Sequence, residues 1–323
     1  MSQIFNALQR AESERSAGET TPSYIATDVL ERAERLASSQ WEEDLTREKP
    51  EGSNGHAPNR SAELRDAISV LPASVALIDG QPLSEDKREK ILGECESLDV
   101  RLTEGSRLEC ISNPESPATE AFRLLGVRLR DMRRHKALKT ILITSTIPQE
   151  GKSTVAANLA CALAQSSKQK VLLLEGDVRR PAQSKLFGLT QHPGVCEWLQ
   201  GERSLIKSMY HMKVPGIWIM PAGTTTKNSL ELLQLGRISA LIEQLSGLFD
   251  TVLIDSPPVL PLADTSVWMR VADGIILVAR QGKTEKRQLQ KGIEALPPEK
   301  LIGSLLNSST RSMRNYYYYS SEK

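Results

Sequence analysis

The stretch Thr140-Ile-Leu-Ile-Thr-Ser-Thr-Ile-Pro-Gln-Glu-Gly-Lys-Ser-Thr154 decides the fold of this chain. It begins with an apolar, β-rich run, ends in Gly-Lys-Ser-Thr and precedes an apolar helical segment over 155–164. A strand, such a loop and a helix form a P-loop, in which backbone N–H groups and the helix N-terminus surround a phosphate. Thr146 stands where the first glycine of the motif usually lies, whereas the end of the motif is intact. Gly-Lys-Ser alone is also compatible with an ordinary helix start.

Other apolar segments repeat the alternation of strand and helix. A helix rich in arginine is predicted over 119–134, just before the P-loop stretch. After it, helical segments separate most of a series of apolar, β-rich runs at 171–174, 217–220, 251–254, 274–278 and 301–306. This pattern predicts an α/β domain with a doubly wound, mostly parallel sheet. Ligands of such sheets bind at the carboxyl ends of the strands.

Aspartates stand at two of these carboxyl ends. Asp177 follows the run 171–174, and Asp255 follows the run 251–254. Either residue alone is equally well explained as a solvated strand terminus or a helix cap. Beside a P-loop they acquire a second interpretation, because phosphoryl transfer needs Mg²⁺ held next to the phosphates by an acidic residue at a strand end. The sequence therefore predicts a site for ATP and Mg²⁺.

The segment Val171-Leu-Leu-Leu-Glu-Gly-Asp-Val-Arg-Arg-Pro181 resembles the Walker A′ motif of bacterial tyrosine kinases, an aliphatic run followed by Asp-x-Asp-x-Arg-x-Pro. Asp177, Arg179 and Pro181 fit the motif, whereas Glu175 replaces its first aspartate. Asp255-Ser-Pro-Pro is similar to the Walker B segment of that family, and Asp264 and the run 272–280 also follow its course. The resemblance covers residues 108–323 and implies a P-loop NTPase fold similar to that of the MinD/ParA ATPases.

The resemblance, together with the P-loop chemistry, assigns roles to residues at several strand ends. The catalytic residues are expected to be Lys152, Asp177 and Asp255, and the magnesium ligands Ser153, Asp177 and Asp255. The expected nucleotide contacts are Gly151, Lys152, Ser153, Thr154 and, for the base, Asn307. Tyrosine has an ordinary pKa of about 10, so a carboxylate must receive its proton during transfer. Glu175 and Asp177 are both candidates for that base.

Four of the six tyrosines of the chain are consecutive, Tyr316, Tyr317, Tyr318 and Tyr319, in a short polar tail. An apolar interface is the alternative interpretation of such a cluster, but the polar neighbours favour a solvated segment. In the resembling family, C-terminal tyrosine clusters are the sites of autophosphorylation. Together with the nucleotide motifs, this resemblance implies a protein-tyrosine autokinase of the kind that regulates exopolysaccharide assembly.

Two other functions remain open from the sequence. A MinD/ParA-type positioning ATPase would carry a signature lysine early in its P-loop, where this chain has Ile147, and would lack the tyrosine tail. A regulator that binds ATP without transferring phosphate is suggested by Thr146 and Glu175. Phosphotyrosine on the purified protein distinguishes these classes.

Composition and local pattern divide the chain into five expected parts. They are an amphipathic helical segment at 1–37, a flexible linker at 38–61, an extension of uncertain structure at 62–107, the ATPase or kinase domain at 108–310 and the tyrosine-rich tail at 311–323. We expect the N-terminal region to be partly disordered. The four cysteines lack the spacing of a metal site or a disulfide framework, and Cys161 is expected in the core.

The charge balance limits the partners of the protein. With 41 basic and 40 acidic residues the net charge is +1, which argues against nucleic acid as a partner. No run reaches the ~20 apolar residues of a membrane span, so we expect a cytoplasmic protein. By resemblance to kinases whose membrane activator is a separate chain, the expected partner is a membrane polysaccharide co-polymerase that recruits the protein to the inner face of the membrane.

A second copy of the chain is the other expected partner. Related kinases form rings through a helix that carries Glu-x-x-Arg-x-x-Arg, and the matching residues here are Glu120, Arg123 and Gly126. Because the last arginine is missing, we expect a mostly monomeric or loosely associated protein, and Gly126→Arg is expected to favour larger species. Arg130, one turn further, is a partial substitute.

Overall fold

The structure is a computed structural model. It describes residues 77–78, 81–100, 102, 106–167, 169–189, 192–224, 233, 235–260 and 264–308. The expected N-terminal helices, the linker and the tyrosine tail lie outside these residues, as does the expected disorder.

Ten strands and nine α-helices are present in the described residues. The strands are β1 (Leu77–Ile78), β2 (Gln81–Pro82), β3 (Glu96–Leu98), β4 (Thr140–Ser145), β5 (Val171–Glu175), β6 (Tyr210–Met212), β7 (Ile217–Met220), β8 (Thr251–Asp255), β9 (Gly274–Arg280) and β10 (Leu301–Asn307). The helices are α1 (Glu85–Gly93), α2 (Glu109–Ser112), α3 (Pro117–Arg133), α4 (Lys152–Ser167), α5 (Gln183–Leu186), α6 (Val195–Gln200), α7 (Leu235–Leu248), α8 (Asp264–Val271) and α9 (Lys286–Glu294).

Eight of the strands form one sheet in the order β10-β9-β4-β8-β5-β7-β6-β3. All neighbouring pairs are parallel except β6 and β7, which are antiparallel. β1 and β2 form a separate two-stranded antiparallel sheet. The predicted α/β class with a mostly parallel sheet is therefore confirmed.

Helices cover both faces of the eight-stranded sheet. Successive residues of a strand point to opposite faces, and in β4 Ile141 and Ile143 belong to one apolar core while Leu142 belongs to the other. The first core contains α2, α3 and the apolar helix α4, and the second contains α6, α7 and α8. Burial on both faces explains why β4, β5, β8 and β9 are continuous apolar runs and not alternating patterns. Cys161 lies fully buried in the first core, as predicted.

The sheet begins earlier in the chain than the sequence pattern indicates. Within the segment expected to be an uncertain extension, β3 pairs in parallel with β6 and forms one edge of the sheet. Just before it, α1 is held to the domain by Arg88, which donates to the Leu248 carbonyl (3.0 Å) and to the Asp250 carboxylate (2.7 Å). The sheet and its supports therefore extend to the N-terminal side of residue 108.

The proposed association helix α3 has a different exposed face from the expected one. Gly126 is buried, and a Cβ at this position would lie 3.3 Å from Leu163 Cδ2 of α4. Glu120 and Arg123 are partly exposed and form an ion pair of 3.4 Å. The expectation that Gly126→Arg adds a guanidinium to their surface is wrong, because position 126 faces the neighbouring helix.

Among the described residues, no helix combines the length and apolarity needed to cross a bilayer.

Candidate active site

The loop between β4 and α4 has the geometry of a phosphate-binding turn. Gln149 and Gly151 both have positive φ, 68° and 92°. A Cβ at position 151 would lie 2.1 Å from Asn307 Nδ2, so only glycine fits there. Asn307, at the end of β10, donates from Nδ2 to the Glu150 carbonyl at 2.9 Å. The Nδ2 amide group of Asn307 therefore contacts the backbone of the loop that is expected to bind the nucleotide.

Glu150 holds this loop in place from the side. Its carboxylate is fully buried, accepts from the Ile147 N–H at 2.8 Å and also accepts from the hydroxyl of Thr284, in the loop between β9 and α9. The loop is thus braced by β9 and β10 as well as by its own helix.

Thr146, which replaces the usual first glycine, is accommodated by a glycine elsewhere. Its side chain is fully buried, and a Cβ on Gly292 of α9 would lie 2.8 Å from Thr146 Oγ1 and 3.0 Å from its Cγ2. The threonine side chain packs against α9, where Gly292 leaves room for it.

The side chain of Lys152 lies between the two predicted carboxylates. Its Nζ is 2.8 Å from Asp177 Oδ2 and 3.5 Å from Asp255 Oδ1, with Ser153 Oγ at 3.3 Å. Burial lowers the pKa of Lys152, but Asp255 and Asp177 outweigh burial and raise it above its ordinary value. The lysine is therefore a fixed cation at the carboxyl ends of β5 and β8.

Gln183, which the sequence analysis did not single out, is a further member of this cluster. It is fully buried at the start of α5, and its Nε2 donates to Asp255 Oδ2 at 2.8 Å and to the Ser153 carbonyl at 3.1 Å. The position follows the Walker A′ segment by two residues, but no spacing or periodicity distinguishes it from a surface glutamine.

Glu175 contacts the backbone of loops and not Lys152, whereas a base is expected beside the lysine and the phosphates. It is fully buried, and its carboxylate accepts from the backbone N–H groups of Ala182, Gln183 (2.6 Å) and Ala222 (3.0 Å). Burial raises its pKa, and these hydrogen bonds oppose the rise. Its described hydrogen bonds all hold loops together, whereas Asp177 is the carboxylate in contact with Lys152. The geometry thus favours Asp177 over Glu175 as the base.

An ion pair supports the Walker A′ segment from the side. Arg179 Nε donates to Asp264 Oδ2, at the start of α8, at 2.6 Å. The Arg180 N–H donates to Asp177 Oδ1 at 3.1 Å, so one oxygen of Asp177 is held by the backbone and the other faces Lys152. Asp177 is therefore oriented before any ligand arrives.

The structure brings most of the predicted site residues to one edge of the sheet and leaves one group outside the described residues. Gly151, Lys152, Ser153, Asp177, Asp255 and Asn307 lie together around the P-loop. Thr154 follows on α4, where its carbonyl accepts from Asn158 Nδ2 at 2.9 Å. The tyrosines 316–319 lie beyond the described residues.

The oxygen atoms at this edge fit a magnesium ion. Mg²⁺ binds oxygen ligands, usually one or two carboxylates together with phosphate and water oxygens. The Ser153 hydroxyl and the carboxylates of Asp177 and Asp255 supply ligands of this kind around Lys152. Two carboxylates and one hydroxyl leave coordination positions of Mg²⁺ open to phosphate and water oxygens.

The chain is similar in sequence to a family of AAA domains and to bacterial tyrosine-protein kinases. Residues 138–297 match a family model described as an AAA domain. The chain is 33% identical over 226 residues to the tyrosine-protein kinase YwqD of Bacillus subtilis, and the match covers 68% of this chain and 95% of YwqD. It is also 33% identical over 208 residues to the tyrosine-protein kinase ptk of Acinetobacter johnsonii, where it covers 64% of this chain but 28% of that longer protein.

A solved structure agrees with the sequence comparison. The kinase domain of the Escherichia coli tyrosine kinase ETK superimposes with a TM-score of 0.59 at 25% identity, and covers 71% of this chain and 98% of the ETK chain.

Proposed function

Because the chain belongs to the family of bacterial tyrosine kinases, we propose that it transfers the γ-phosphoryl group of ATP to tyrosines of its own tail, Tyr316–Tyr319. The observation that carries this proposal is the contact of Lys152 with both Asp177 and Asp255 at the P-loop. One cation and two carboxylates at the ends of parallel strands are the groups that phosphoryl transfer requires. The tail follows β10, whose last residue contacts the same loop.

In this proposal, the charge on the nucleotide is balanced by Lys152 and the P-loop backbone. Lys152 leaves its two carboxylates for the β- and γ-phosphates, and the N–H groups from Gly151 to Thr154 surround the phosphate oxygens. Ser153, Asp177 and Asp255 would hold Mg²⁺, which would supply positive charge against the phosphates. Asn307 lies beside the base.

The proton of the acceptor goes to Asp177 in this mechanism. A tyrosine oxygen forms a bond to the γ-phosphorus as the bond from that phosphorus to the bridging oxygen of ADP breaks. The phenolic proton passes to the Asp177 carboxylate late in a loose transition state.

The experiment that tests the proposal is phosphotyrosine mapping by mass spectrometry after incubation with ATP and Mg²⁺. We expect phosphate on Tyr316–Tyr319 in the wild type and a loss of at least about 100-fold in Lys152→Met, because an uncompensated phosphate charge raises the barrier. The control is Lys90→Met, which removes an exposed lysine of α1. Replacing all four tail tyrosines with phenylalanine is expected to remove most phosphate without changing ATP affinity. Wild-type phosphorylation in folded Lys152→Met protein would exclude this mechanism.

The same proposal includes the cellular process and the partner that activates the kinase. We place the protein in exopolysaccharide assembly, where a membrane polysaccharide co-polymerase supplies a cytoplasmic segment that recruits and activates it. The isolated protein is then weakly active. Full activity at low concentration without the partner would contradict this dependence.

A further inference from the structure

Gln183 connects two elements of the active site that are far apart in the sequence, β8 and α4. Asp255 ends β8 and Ser153 lies in the first turn of α4. The Gln183 amide nitrogen is within hydrogen-bond distance of both, 2.8 Å from Asp255 Oδ2 and 3.1 Å from the Ser153 carbonyl oxygen. One neutral side chain thus fixes the relative position of a carboxylate and of the backbone that carries the serine.

The orientation of this amide is set by its neighbours. Both atoms within reach of Nε2 are acceptors, so the opposite orientation would place the amide oxygen against a carboxylate oxygen and a carbonyl oxygen. The Gln183 oxygen is buried and has no hydrogen-bond partner among the described residues. The two hydrogen bonds from Nε2, one of them to a carboxylate, therefore fix this orientation of the amide.

Gln183 contacts only one of the two carboxylate oxygens of Asp255. Oδ2 accepts from Gln183, which leaves Oδ1 directed at Lys152, 3.5 Å away. A neutral donor orients the carboxylate without neutralising it, whereas lysine or arginine at position 183 would compete with a metal ion. Asp255 therefore keeps its full charge toward the P-loop.

The backbone of Gln183 is fixed in turn by Glu175. The Gln183 N–H donates to Glu175 Oε1 at 2.6 Å, and the Ala182 N–H donates to the same oxygen. The other oxygen of Glu175 holds the Ala222 N–H, beyond the end of β7. A one-turn helix such as α5 has little stability of its own, so this carboxylate is what keeps Gln183 in reach of Asp255.

We propose that Gln183 is a positioning residue, which holds Asp255 and the Ser153 backbone in the arrangement that binds Mg²⁺ beside the nucleotide. This inference rests on the nucleotide and metal site of the proposed function but not on phosphate transfer to tyrosine. Gln183 acts through Asp255 and Ser153 and does not contact the metal ion. Its loss should weaken metal binding more than nucleotide binding.

The test is a magnesium titration with a fluorescent ADP analogue on the full chain. For Gln183→Met, which keeps the length of the side chain and loses the donor, we expect the Mg²⁺ concentration for half-saturation to rise about tenfold, the effect of one lost hydrogen bond to a charged group. The affinity for the analogue in EDTA should change less than twofold. Gln165→Met is the matched control, because its amide donates to the Cys110 carbonyl on the far side of α4.

A second variant keeps the test decisive if Gln183→Met does not fold. Gln183→Asn retains the amide but is one methylene shorter, so it cannot reach both acceptors, and we expect an intermediate shift in the Mg²⁺ requirement. Equal Mg²⁺ requirements for the position 183 variants and the control would overturn the proposal, as would a parallel loss of affinity in EDTA. A wild-type protein that binds the analogue in response to Mg²⁺ but forms no phosphotyrosine would defeat the kinase proposal and leave this one standing.

Discussion

At the scale of single residues, the site is organised by carboxylates that differ in what they contact. Asp177 and Asp255 face the Lys152 ammonium. Glu175 and Glu197 face backbone N–H groups of loops at the same edge of the sheet. The first pair can exchange a lysine for a metal ion, whereas the second pair can only hold the loops. Within the second pair, the pKa of Glu175 is raised and that of Glu197 is lowered.

The first prediction concerns the stability contribution of Glu175. Burial raises its pKa above the ordinary 4.5, so the folded state disfavours the charged form. The stability contributed by its protonated form is fully present below about pH 4.5 and declines as pH rises through the folded pKa. We therefore expect the free energy of unfolding of the wild type, relative to that of Glu175→Gln, to fall as the pH rises from about 4.5 through the folded pKa of Glu175. Denaturant titrations of both proteins between pH 4 and pH 8 measure it.

Glu197 is the control, because its pKa is shifted in the opposite direction from that of Glu175. Burial favours a raised pKa there too, but the N–H groups of Gly194 and Thr224 outweigh burial and lower the pKa. Its contribution to stability is therefore present above about pH 4.5 and is lost as pH falls through the folded pKa. If Glu175→Gln and Glu197→Gln gave the same dependence relative to the wild type, the assignment of Glu175 as a buried loop anchor would be wrong.

The sequence predicts the parts of the site that are local in the chain. Gly151, Lys152 and Ser153 are adjacent in one motif, and Asp255 ends an apolar strand, so their meeting follows from parallel strands alone. The direction of Glu175 does not follow, because it depends on the Ala222 N–H, 47 residues away. The same holds for Gln183, whose partner Asp255 is 72 residues away. Side-chain direction in loops is a tertiary property.

At the scale of elements, α9 and the P-loop are fitted to each other through Gly292 and Thr146. We expect Gly292→Ala to destabilise the protein by about 1–3 kcal/mol, because the new Cβ would lie 2.8 Å from the buried Thr146 Oγ1. In the Thr146→Gly background the same change should stabilise by up to about 1 kcal/mol, since alanine is the better helix former. A double-mutant cycle measured by denaturant unfolding tests this reversal.

The double-mutant cycle at Thr146 and Gly292 could also contradict this prediction. Additive effects of the two substitutions would show that Thr146 and Gly292 are independent. The departure from the glycine of the P-loop motif would then need another explanation than the space left by α9.

The packing of α3 on α4 gives a second prediction for an element. Gly126→Arg would force a charged side chain against Leu163, so we expect a loss of about 1–3 kcal/mol or more and a lower denaturation midpoint. Val127→Arg is the control, since Val127 is 41% exposed on the same helix. A variant Gly126→Arg as stable as the wild type that forms larger species in light scattering would restore the original expectation.

The elements that the sequence did not predict are short. The six apolar strands from β4 to β10 were predicted with their ends within about two residues. The signal is strongest for β4, β5, β8 and β9, which are buried on both faces, whereas β10 at the edge is partly exposed. β3 and β6 have three residues each, and β3 contains Glu96 and Ser97. Their strand character comes from pairing with each other at the edge of the sheet, which no local pattern reveals.

At the scale of the whole molecule, association is the property that most affects the proposed reaction. The exposed face of α3 offers the ion pair of Glu120 and Arg123 together with Leu124 and Val127, and surface ion pairs contribute little to binding. We expect a mostly monomeric protein in isolation. Light scattering over a concentration series measures this, and a stable ring at micromolar concentration would contradict it.

The contact of Asn307 with the P-loop has a consequence for how the tail finds its target. Asn307 also accepts from the Ser308 N–H at 2.8 Å, and Ser308 has a φ of 56°, so the chain turns sharply as it leaves the sheet. Tyr316 follows Ser308 by eight residues, which can span at most ~29 Å. If the proposed reaction takes place, an activator that changed the backbone at Ser308 would change the direction in which the chain leaves the P-loop.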